Sequence, residues 1–221
     1  MTSISADDWS PADNPYAIAV SQSQLWRDIV LLTIQRMRDE DDRGLGWFSS
    51  VQLDAHVLVM TLRQLLTAEQ LEQIALKELG IDAAVLNALA QARRKFEDAL
   101  PGIKDMRDAL MHFDEWLRGT GRGPQQKRIK TGEALRDVAR DYAGFGYDPN
   151  EGTVSFGPYT IHIDIADRAA VELCQATYTA AHEVDKQNTA ERRRRTIQAL
   201  ERSYTQKLWI RVKRKAAYLP G

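Results

Sequence analysis

Chemistry built on sulfur or on clustered histidine has little material in this chain, which holds one cysteine and four histidines among 221 residues. Cys174 has no partner for an internal disulfide, and a chain without disulfides suits a reducing compartment. It sits among apolar residues at helical spacing (Val171, Leu173, Tyr178), the setting of a small buried hydrophobe. The histidines stand at 56, 112, 162 and 182, never three or four apart, so no helical pair of metal ligands is present. His182-Glu183 lacks the second histidine of a zinc-protease helix. There is no Gly-x-Ser-x-Gly and no base beside Cys174, which sets aside the common serine and cysteine nucleophiles. Gly119, Gly121 and Gly123 follow an expected helix instead of a strand, and no Gly-Lys-Ser/Thr closes them. They read as a helix stop in preference to a phosphate cradle. His162 and Asp164 would share one face of a strand, but two residues do not make a site. No metal and no cofactor is expected.

Long apolar runs are also missing. The longest near the start, Ile29 to Gln35, is far too short to cross a bilayer. Asp7 and Asp8 lie where a secretory leader needs basic residues. The expectation is a cytoplasmic protein without a membrane span.

What is present is the composition of a globular protein, 43% hydrophobic and 28% charged. A chain of this length suits one large domain, or one domain with extensions. The net charge of −1 conceals a polarity. Between Lys186 and Lys215 stand eleven Lys or Arg against two Glu, a local charge of +9, whereas the remainder holds 19 basic and 29 acidic residues. Such asymmetry marks a surface for nucleic acid or membrane; it equally suits a basic tail folded back on an acidic body. The candidate nucleic-acid-binding residues are Arg192, Arg193, Arg194, Arg195, Lys207, Arg211, Lys213, Arg214 and Lys215. Trp209 and Tyr204 would also permit this segment to lie on anionic lipid.

Periodicity orders the chain as follows. Residues 1–16, with Pro11 and Pro15, read as a leader. A helix is expected over about 17–38 with Leu25, Ile29, Leu32 and Met37 on one face. A second is expected from Trp47 to Leu66, with Val57, Met60 and Leu65 at helical spacing. Thr67 and Gln70 suggest a capping box for a third, which pauses near Gly80 and resumes after Asp82 toward Phe96 and Leu100. Pro101-Gly102 breaks the chain before a short helix, Ile103 to Arg118, ended by Gly119 and Pro124. Another is expected over about 132–142. Thr153 to Phe156 and Tyr159 to Ile163 alternate around Gly157-Pro158 as a β-hairpin. Helix returns over 167–185, and the basic segment keeps the spacing through Ile197, Leu200, Tyr204, Leu208 and Val212. The fold class is mainly α with one small hairpin; the domain reading is a body over 17–185 and a basic C-terminal helix over 186–221.

Within the short helix, Arg107-Asp108-Ala109-Leu110-Met111-His112 has an Arg-x4-His spacing with a polar residue directly after the arginine. Acidic Asp114-Glu115 and a glycine-rich exit follow, and long amphipathic helices precede it. This stretch resembles the motif of HEPN domains; the likeness covers about 17–123 in architecture and about a dozen residues in sequence. It implies a compact helical bundle that pairs as a homodimer, with Arg and His from two protomers lining a shared cleft. It further implies a metal-independent endoribonuclease, a toxin or antiphage effector, whose partners are RNA and an antitoxin or other defence protein. Some toxin members carry His-x-Tyr, where a nucleotidyltransferase antitoxin modifies the tyrosine. Here that position is Asp114, so that partnership does not carry over.

On a continuous helix Asp108 and His112 stack four residues apart, so the carboxylate would orient the imidazole. Arg107 lies about 140° around from His112, so it would reach round or act across the dimer. The expected chemistry is transesterification. His112 would serve as general base or acid, and Arg107 would stabilise charge on the transition state. The alternative is a non-catalytic helical module that dimerises and binds protein or nucleic acid through its basic helix, with Arg107, Asp108 and Glu115 in ordinary surface pairs.

Overall fold

The computed structural model of the chain describes residues 10–39, 44–45 and 48–216. They divide into two units, the first ending at Ala181 and the second beginning at His182.

In the first unit a 3-10 turn, Pro11–Asp13, precedes helix α1, Pro15–Arg38. Pro15 opens it, where a missing N–H costs nothing. The buried face of α1 carries Ala19, Ser23, Val30, Thr33, Ile34 and Met37. Leu25 and Leu32, expected inside, are exposed. Two apolar stripes run along this helix, and periodicity alone does not choose between them. The stripe that includes the small Ala19 and Ser23 is the buried one, and its Val30, Ile34 and Met37 join the core.

Two-residue strands β1 (Gly44–Leu45) and β2 (Phe48–Ser49) pair antiparallel and lead into α2, Ser50–Glu78. The Ser49 hydroxyl accepts from Gln52 N and the Gln52 side chain accepts from Ser49 N, both at 3.2 Å, a complete capping box. The break expected at Thr67 does not occur. Its hydroxyl donates back to Arg63 O within the helix at 3.3 Å, so Thr67-x-x-Gln70 mimics a cap inside one long element. Helix α3, Ala83–Ala99, begins after Asp82, whose carboxylate accepts from Ala84 N at 2.8 Å.

Gly102 sets the entry of α4, Ile103–Met111. Its φ of +80° is in the left-handed region, and a Cβ there would lie 2.1 Å from Tyr159 Cδ1, so only glycine fits. The Tyr159 hydroxyl donates to Asp105 on α4 at 2.8 Å. Helices α5 (Phe113–Leu117), α6 (Pro124–Lys130) and α7 (Leu135–Asp141) follow. The buried Gln125 side chain accepts from Gly121 N and donates to Trp116 O, which makes the glycine-rich exit a packed connection.

Strands β3 (Phe145–Asp148), β4 (Thr153–Phe156) and β5 (Tyr159–His162) form an antiparallel sheet in the order β3-β4-β5. The turn between β4 and β5 is the expected one at Gly157-Pro158. Strand β3 escapes a period-two reading because Gly146 interrupts its four residues. Helix α8, Ile163–Ala216, starts directly after β5 and not near Asp167. His162 therefore ends a strand and Asp164 lies in the first helical turn, so the two do not share a strand face. One core joins α1 to the sheet through Ile34, Leu58, Leu62, Phe96, Met106 and Val154. Within it Trp116 meets Tyr142 and Phe156 edge-on at 5.3 and 6.4 Å.

In the second unit α8 continues through the basic segment. The side chains from Asp185 to Gln198, leaving aside Arg192, are all exposed. Among the described residues no helix is long and apolar enough to cross a membrane.

Candidate functional site around Arg107 and His112

Helix α4 buries Ile103, Met106 and Ala109, which leaves Arg107 and Asp108 half-exposed toward the outside of the fold. The Arg107 guanidinium donates through Nη1 to Asp108 Oδ1 at 2.8 Å. The carboxylate expected to orient His112 thus holds the arginine instead.

His112 is not helical. With φ −122° and ψ 44° it ends α4 and immediately precedes α5. Its N–H donates to Asp108 O at 2.9 Å, and its carbonyl accepts from Glu115 N and Trp116 N at 3.1 Å each. One residue therefore closes one helix and opens the next. The single helix expected over 103–118 is corrected to two, and the four-residue stacking of Asp108 on His112 is lost with it. The His112 side chain is exposed and has no hydrogen-bond or ion-pair partner among the described residues. Around it Met111, Phe113 and Leu117 are 51%, 64% and 57% exposed, a concentration of apolar surface that helical periodicity did not foretell.

A second charged group lies where α2, α3 and α4 meet. Arg93 on α3 pairs with Glu69 of α2 at 2.5 Å and with Glu97 at 3.0 Å. Lys104 of α4 reaches Glu97 at 2.7 Å. Glu69 is fully buried and is also bonded by the Gln73 amide. Burial pushes its carboxyl up, against the pull of Arg93. At Glu97 burial also pushes up, but Lys104 and Arg93 outweigh it and hold the carboxyl below its ordinary range. Arg63, on α2, differs from its neighbours: among the described residues it has no carboxylate partner. Its approach to Thr67 Oγ1 is long, 3.4 Å. Burial lowers its guanidinium below the ordinary value, and nearby Arg107 and Arg93 lower it further, with partial relief from Asp108 and Glu97. Sequence reasoning does not single out Arg63, because one arginine in a long helix has no motif.

Of the candidate nucleic-acid-binding residues, Arg193, Arg194 and Arg195 are exposed on α8, and Arg195 approaches Glu191 at 3.4 Å. The backbones of Arg192, Lys207, Arg211, Lys213, Arg214 and Lys215 belong to α8; their side chains lie outside those described. Among the described residues no group of three or more His, Cys, Asp or Glu side chains is placed to hold a metal ion. A scan against protein-family models, a search of curated proteins and a search of solved structures found no match to this chain.

Proposed function

We propose that the protein is a metal-independent endoribonuclease of the HEPN type, with its reaction centred on His112 and Arg107. The observation that carries this reading is the placement of His112 at the α4–α5 junction, exposed and unpartnered among the described residues, five residues after a half-exposed arginine. An exposed imidazole free of a competing partner is available to take a proton as a general base. It takes the proton of a ribose 2′-hydroxyl, whose oxygen attacks the adjacent phosphorus. The bond from phosphorus to the 5′-oxygen breaks, and that oxygen leaves as a hydroxyl after gaining a proton. The products are a 2′,3′-cyclic phosphate and a 5′-hydroxyl end. Arg107 stabilises the added negative charge on the phosphoryl oxygens. Asp108 positions Arg107 through the bond described above, a role different from the one expected for it.

A complete site needs more than one Arg and one His. A second copy of the chain, seated on Met111, Phe113 and Leu117, would cover that apolar surface and supply the other pair, which suits a symmetric homodimer. An antitoxin or defence partner belongs to the same proposal, as does action in the cytoplasm. The experiment is cleavage of a defined RNA by the purified protein in EDTA, wild type against His112→Ala.

One observation favours a second reading. The fully exposed helical stretch with Arg193, Arg194 and Arg195 is a surface for binding phosphates, and a non-catalytic nucleic-acid-binding module would use it without His112. Binding of RNA with no cleavage by wild type would select that reading.

A further inference from the structure

We propose that the cleft between the end of α1, the β3–β4 turn and the first turn of α8 binds a small organic monocation, an ammonium group on a short apolar body. The site shares no residue with the Arg107–His112 region and does not depend on the ribonuclease reading.

Met37 and Arg38 close α1, Tyr147 lies in β3, and Ile163 and Asp164 open α8; together with the β3–β4 turn they line a cavity of about 320 Å³. That is space for about ten waters, the lower end of the range for small-ligand sites. The turn is fixed by its own bonds. Asp148 Oδ1 accepts from Asn150 N at 2.9 Å and from Glu151 N at 3.4 Å, and Gly152 O accepts from Ile163 N at 2.9 Å. Part of the wall is apolar, with Met37 and Ile163 buried and the Tyr147 ring and Pro149 beside them.

The charged groups decide the sign of the ligand. Arg38 Nη2 donates to Asp164 Oδ1 at 2.5 Å and lies 3.6 Å from Asp167 Oδ2, so two carboxylates already answer its one charge. Glu151 also lines the cavity, and its carboxylate has no partner among the described residues. One arginine thus stands against three carboxylates, and an anion is repelled. The negative end of the α1 dipole and the positive end of the α8 dipole meet here and offset one another, which leaves the choice to the side chains. A metal ion asks for more ligands than these: among the described residues no group of three or more His, Cys, Asp or Glu is placed to hold one. An ammonium asks for less. Its three N–H donors match Glu151, the second oxygen of Asp164 and the Asn150 side-chain carbonyl. Its apolar body covers Met37, Ile163 and the Tyr147 ring, whose face attracts a cation.

The test uses the full-length chain and probes of like size: phenethylamine, its neutral analogue 2-phenylethanol and the anion phenylacetate. Saturation-transfer NMR titrations are run on wild type, Glu151→Gln and Asn150→Trp. Both positions are exposed, so the fold is kept, and matched melting temperatures check this. Phenethylamine should bind wild type saturably at millimolar concentration and more tightly than the other probes. Glu151→Gln should weaken it at least about threefold, the scale of an exposed charge pair. Asn150→Trp fills the cavity without changing its charge and should abolish binding. The inference is overturned if wild type shows no saturable binding, or if the alcohol or phenylacetate binds as well as the amine. It is equally overturned if either folded variant binds phenethylamine as wild type does; an unaffected Asn150→Trp would mean diffuse attraction of a cation to an acidic surface.

Discussion

Glu72 is wholly buried on α2, and neither carboxylate oxygen has a hydrogen-bond partner among the described residues. Burial alone pushes its carboxyl from an ordinary 4.5 up to about 8. Between those values the folded chain holds a proton that the unfolded chain has released. Stability therefore falls as pH rises through that window and levels off above about 8, a loss on the order of a few kcal/mol. Urea unfolding of wild type and Glu72→Gln from pH 5 to pH 9 checks this. The glutamine variant should lose most of the slope and be the more stable protein at pH 9; parallel curves would contradict the reading. Nothing in the sequence distinguishes Glu72 from the acids around it, because burial is a property of the packed helices. His112 is the opposite case. Its spacing from Arg107 is legible in the sequence, but its release from the helix is not. That release arises where the His112 carbonyl turns to cap Glu115 and Trp116.

Among the elements, α4 depends most on a single backbone conformation. Gly102→Ala would combine a strained left-handed alanine with a Cβ driven into the Tyr159 ring, which costs roughly 1–3 kcal/mol and shifts the helix bearing Arg107. Calorimetry should show a lower melting temperature, with RNA cleavage falling by more than stability explains; a variant that melts and cleaves as wild type would show that α4 does not need this entry. The Pro101-Gly102 break, the hairpin at Gly157-Pro158 and the resumption of helix after Asp82 are all legible in the sequence, because each rests on local chemistry that the residue type dictates. The continuity of α2 is not. Thr67 and Gln70 satisfy a capping pattern, and only the burial of Leu65, Leu66, Ala68 and Glu69 across that point shows that tertiary packing keeps the helix whole. The choice of stripe on α1 is settled the same way.

At the scale of the whole molecule, the apolar surface at Met111, Phe113 and Leu117 predicts self-association. Sedimentation at micromolar concentration should give a dimer for wild type and a monomer for Phe113→Asp; a wild-type monomer would leave the site with one Arg-His pair. The charge polarity read from composition recurs on α8. Replacing Arg193, Arg194 and Arg195 by Gln in the His112→Ala background should flatten the salt dependence of binding to single-stranded RNA. The logarithmic slope should shrink by about 0.7 for each phosphate that the variant no longer neutralises. An unchanged slope would make the segment a structural helix.

The most direct test of the ribonuclease reading is RNA cleavage in EDTA by wild type and by His112→Ala with matched melting temperature and helical signal. General acid–base help from a histidine is worth about 10² to 10⁴ in rate. Wild type should cleave without metal and leave a cyclic phosphate, and His112→Ala should be at least a hundredfold slower. A folded His112→Ala that cleaves as fast as wild type, or a wild type that EDTA silences, would contradict it.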